Sequence, residues 1–127
     1  MTQLFFLIAS VNGFLAVALG AFGAHALKNI LDPQLLVTFQ TGVQYHMTHT
    51  LALLAVALLT LQFPQSNLLK SSGWLFVLGI LFFSGSLYAL SLSGIRWLGA
   101  ITPIGGVLFL GAWGCLFWFA LTTKFQA

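Results

Sequence analysis

Three histidines, two tyrosines and a few hydroxyls carry most of what this chain could do chemically. His46 and His49 stand three residues apart in TGVQYHMTH, so on a helix they occupy one face. With His25 as a third ligand, that face could hold Zn²⁺ or Cu²⁺. The rest of the chain argues against a resident metal. There is no HExxH pair, Cys115 is the only cysteine, and Asp32 is the only carboxylate. The expectation is therefore no cofactor and no metal, with His25, His46 and His49 as the only candidates to hold one. Neutral imidazoles hydrogen-bonding between helices are the favoured reading. Ser84 and Ser86 flank Gly85, and a single acid leaves no Ser-His-acid set to activate either hydroxyl. Close helix packing explains the SGS stretch better. Tyr45 and Tyr88 could act as acid and base, but interface anchors and hydrogen-bonding packers are the commoner use of tyrosine. Arg96 suits either a lipid phosphate or a snorkelling anchor.

The elements that hold these residues follow from composition. The chain has 127 residues, 60% hydrophobic and 4% charged, with mean hydropathy +1.05. Soluble domains carry about 25% charged residues, so the solvent here is lipid. The net charge of +3 is spread over Lys28, Lys70, Arg96 and Lys124. Nucleic-acid binding needs clustered basic residues, and these are not clustered. The partner is the bilayer, together with a second copy of the chain or another membrane protein.

Four apolar segments are long enough to cross about 30 Å of hydrocarbon. They run over about residues 4–27, 36–62, 73–93 and 98–121 of one integral membrane domain, 1–127. The first lacks a basic n-region, and its apolar run is too long for a cleaved leader, although Ala24-His25-Ala26 has the small-x-small form. Its Gly13, Gly20 and Gly23 invite a close neighbour. Asp32-Pro33 reads as N-cap and N1 of a helix about 45 Å long. Ser71 or Ser72 is expected to cap the third helix, with Gly94 at its C′ position. Trp74, Trp97, Trp113 and Trp118 read mostly as belt or lipid-facing residues. Short connections make neighbours antiparallel. The fold class is all-α, a four-transmembrane-helix up-down antiparallel bundle.

That topology gathers the polar residues at one end. His25 closes the first helix and Gln44, Tyr45, His46 and His49 open the second. Ser84, Ser86 and Tyr88 close the third, Thr102 opens the fourth, and Arg96 lies just outside. The opposite end carries almost nothing comparable. Ionisable residues inside a span mark a functional site by default. Basic residues divide evenly between the two sides, and the reading adopted places both termini in the cytoplasm.

Three stretches carry a resemblance. LGAFGAHAL at 19–27, TGVQYHMTH at 41–49, and FSGSL at 83–87 continued by GAITPIGG at 99–106 are together similar to the bacterial inner-membrane family catalogued as domain of unknown function 423. The resemblance covers essentially the whole chain. It implies four transmembrane helices in the inner membrane with both termini inside, and it supplies no activity.

Three functional classes follow. The leading one is a non-enzymatic structural or accessory component that binds a lipid or a partner helix through the polar end. The second is an oligomeric channel or transporter subunit for an ion or small solute. The third is a membrane enzyme that uses its histidines.

Overall fold

The computed structural model describes residues 1–126. Four long helices make up nearly all of it: α1 (Thr2–His25), α2 (Pro33–Gln62), α3 (Asn67–Ser93) and α4 (Thr102–Thr122). Each is long and apolar enough to cross a membrane. Short 3₁₀ turns, Leu27–Asn29 and Arg96–Ala100, follow α1 and precede α4.

Two boundaries differ from the sequence expectation by four residues or more. α3 begins six residues before 73, capped not by Ser71 or Ser72 but by Ser66, whose Oγ accepts from the Leu69 N–H at 3.3 Å. Nothing between Pro64 and Gly73 breaks a helix, and Ser72 is needed elsewhere: buried, it donates to the Ala112 carbonyl at 2.9 Å. α4 begins at Thr102, not 98. Pro103 has no N–H and its ring would collide with the carbonyl four residues back, so an unbroken α-helix cannot start at 98. Two other signals hold. Pro33 sits at the first turn of α2, although the Asp32 carboxylate makes no cap bond. Gly94 ends α3 at φ +73°, its N–H donating to the Leu90 carbonyl at 2.8 Å.

Successive helices run antiparallel. Along α1, a Cβ at Gly13 would touch Thr50, one at Gly20 would touch Val43, and one at Gly23 would press on the Phe39 ring at 2.9 Å. Partner numbers fall as the α1 numbers rise. Close packing joins α1 to α2, α2 to α3 and α3 to α4. α2 and α3 are thus the inner pair. Of their most apolar 18 residues, α2 buries 44% and α3 39%, against 17% for the first span and 22% for the fourth. Phe14, Val17, Leu110 and Phe117 are each more than 60% exposed, a surface suited to acyl chains.

The bundle divides along its length. One half, towards the 63–66 connection, is an apolar core centred on Phe5, Leu53, Val56, Phe76 and Phe119, with Phe109 at its boundary against His49. Phe5 lies against the bare face of Gly73. This half is less empty of polar bonds than the sequence suggests. Thr2 and Thr60 pair through their hydroxyls at 2.8 Å, and Ser72 reaches α4. Each hydroxyl is met by another helix, which makes it tolerable in hydrocarbon. The other half holds the candidate site.

Candidate functional site

His46 is 4% exposed and joins three helices. On one side the Asn12 Nδ2 donates to the Ile8 carbonyl at 2.8 Å, which turns Oδ1 of Asn12 towards His46 Nε2 at 2.9 Å. Nε2 must therefore carry the proton. Nδ1 is then an acceptor, and the Tyr88 hydroxyl donates to it at 2.9 Å. α1, α2 and α3 are tied through one imidazole.

His49 uses the other tautomer. The Trp113 indole N–H donates to its Nε2 at 3.2 Å, so Nδ1 holds the proton and donates to the Tyr45 carbonyl at 2.8 Å. Its ring lies flat on Phe109, with centroids 3.6 Å apart and planes within 7°. Tyr45 lies on the ring nearly parallel as well, at 5.7 Å. His49 thus ties α2 to α4. All four nitrogens of the two histidines have partners.

Hydroxyls complete the arrangement. Ser84 donates to the Gly42 carbonyl at 2.8 Å, where a Cβ would sit 2.9 Å from the Tyr88 ring. Ser86 donates to the Phe83 carbonyl and pairs with Thr102 at 2.6 Å, joining α3 to α4. Gly85 is not the packing residue of the SGS stretch. A Cβ there meets nothing within 4 Å, whereas one at Gly105 would overlap the Phe83 backbone.

Gly85 instead faces a cleft of about 340 Å³ between α1 and α3. Leu15 and Leu19 line one wall, and Val77, Ile80 and Leu81 the other. The polar lining is Asn12, His46, Ser84 and Tyr88, with no Lys, Arg, Asp or Glu. Leu15 and Leu81 are 43% and 63% exposed at the rim, so the cleft opens sideways into the hydrocarbon.

The ten residues singled out from sequence do not all meet. His46, Ser84 and Tyr88 line the cleft, and His49, Tyr45, Ser86 and Thr102 form the neighbouring joints to α4. His25 and Gln44 are exposed and stand apart. Arg96 is exposed as well and borders a separate cavity of about 250 Å³ at the helix ends, shared with Asp32, Gln34 and Thr38. Among the described residues no three His, Cys, Asp or Glu side chains lie close enough to hold a metal, so His25 does not join His46 and His49. Two participants, Asn12 and Trp113, were missed, and with them one buried hydroxyl nearby, Thr50. Asn12 is a lone amide halfway along α1, and its polarity in mid-span was the available signal. Trp113, read as lipid-facing, turns its N–H inward while remaining 45% exposed. Thr50, next to His49, is 3% exposed and its Oγ1 has no partner.

Comparison with known proteins places the chain. Residues 19–106 match a family described as "Protein of unknown function (DUF423)". The chain is 47% identical over 111 residues to UPF0382 membrane protein YwdK of Bacillus subtilis, covering 87% of this chain and 90% of that one. It is 47% identical over 113 residues to a UPF0382 membrane protein of Haemophilus influenzae, covering 89% and 90%. It is 42% identical over 125 residues to UPF0382 inner membrane protein YgdD of Escherichia coli, covering 98% and 95%. No solved structure matches. With four spans, a family match over residues 19–106, and relatives aligned over most of their length, the chain belongs to the DUF423 family of membrane proteins.

Proposed function

We propose that this protein is a non-enzymatic accessory component of the inner membrane that binds a lipid through the polar cleft between α1 and α3. The cleft carries this reading: an apolar slot open to hydrocarbon, with hydrogen-bonding groups at its floor. An amphiphile matches both parts of this lining at once, its tail on the leucines and its head on the polar floor. Against catalysis stands the bonding of the histidines, whose nitrogens are all engaged within the bundle. The name of the Escherichia coli relative supports the inner membrane. Both termini face the cytoplasm in this reading.

Native mass spectrometry of protein released from mild detergent tests it. A retained lipid mass is expected, and Gly85→Leu, which fills open space, is expected to abolish it. A bare chain, or a lipid retained equally by the variant, would overturn the reading. A co-purifying protein lost on the same substitution would replace the lipid with a partner helix.

A further inference from the structure

The cleft's hydrogen-bonding inventory narrows what it can hold. Tyr88 spends its proton on His46, and Ser84 spends its proton on the Gly42 carbonyl. Both oxygens keep lone pairs. Asn12 Oδ1 accepts from His46 and also keeps a lone pair, while one Nδ2 hydrogen is left after the bond to Ile8. Ser84 is fully buried, so what remains within reach is one spare donor against two oxygens able to accept, those of Asn12 and Tyr88.

That imbalance discriminates among heads. A phosphate or carboxylate is acceptor-only and would face two oxygens in a low-dielectric slot with no cation to meet it. Arg96, the nearest candidate in sequence, borders the other cavity. An ammonium head would match the oxygens but finds no carboxylate. An ester or ketone could use only the single Asn12 N–H. A hydroxyl can donate to the oxygens and also accept from Asn12.

We infer that the ligand of this cleft is an uncharged amphiphile with a hydroxyl head and a hydrocarbon tail. This rests on the cleft reading above and names the class of lipid. The tail lies between the leucines of α1 and α3, and the hydroxyl reaches the floor at Asn12 and Tyr88.

The test uses the full chain in an amine-oxide detergent, which has no hydroxyl to compete. Three probes of equal tail length are added: 1-hexadecanol, hexadecanoate and methyl hexadecanoate. Retention is read by native mass spectrometry. Hexadecanol is expected to be retained at least about tenfold more than either of the others, the worth of one hydrogen bond. Tyr88→Phe should shrink that preference. Gly85→Leu should abolish retention, and Leu15→Trp on the opposite wall does the same job if the first variant fails to fold. Equal or greater retention of the acid or ester, lost on filling the cleft, would overturn the hydroxyl inference and leave the cleft intact as a site. Hexadecanol retained equally by the filled variants, or no probe retained by the native chain, would overturn both.

Discussion

The two histidines carry their protons on opposite nitrogens, and each choice is forced by a neighbour. Asn12 sets His46, and Trp113 sets His49. This makes Asn12 the most informative residue to remove. Asn12→Ala leaves the His46 N–H buried without a partner, and a stranded donor costs about 1–3 kcal/mol. An intact interhelical bond in a membrane is worth less, about 0.6 kcal/mol on average. The expected result is therefore asymmetric. Asn12→Ala should destabilise by more than the coupling measured in an Asn12→Ala, His46→Phe cycle, because the double variant strands nothing at that point. Unfolding in mixed micelles measures both. At this scale the sequence shows which residues are costly in lipid, and so His46 and His49 stand out. It does not show which way each points around its helix. Asn12 lies far from the polar end along α1, and Trp113 carries the usual signature of a lipid-facing residue, so neither partner is legible before the helices are packed.

Among the elements, glycines separate into those that allow contact and those that leave room. Gly105 sits where a Cβ would strike the Phe83 backbone, which cannot rotate away. Gly105→Ala should force α4 off α3, and overpacking of this kind costs about 1–3 kcal/mol or more. Gly85→Ala points into open space from the middle of α3 and should stabilise by up to about 1 kcal/mol, the helix preference of Ala over Gly. Thermal melts followed by circular dichroism compare the two directly. Reading the sequence alone gives both glycines the same role, since small residues in a span look alike until a neighbour is placed beside them. Helix starts are limited in the same way. Pro33 and Gly94 act through their own backbone and are legible, whereas the choice of Ser66 over Ser72 depends on the Ala112 carbonyl of another helix.

For the whole molecule, four spans and their antiparallel order are legible because hydrocarbon thickness and short connections leave few alternatives. Which pair lies inside is not legible, since all four helices are apolar and the inner pair is set by side-chain fit. Side of insertion is a separate matter, because the basic residues are evenly divided. Placing the C-terminus in the cytoplasm predicts that a green fluorescent protein fused there fluoresces and that alkaline phosphatase fused there is inactive. The reverse pattern would invert the topology.

Every close-packed helix pair in this bundle joins neighbours in the chain. Assembly can therefore follow the order of synthesis, each helix docking on the one made just before it. The cleft draws its walls and floor from α1, α2 and α3 only. It needs no residue of α4, which acts as a lock, engaging His49 through Trp113 and Ser86 through Thr102. A chain released after residue 95 is expected to insert and to retain whatever the full protein retains, with a lower melting temperature. Loss of the retained mass in that shortened chain would mean that the last helix shapes the cleft from across the bundle.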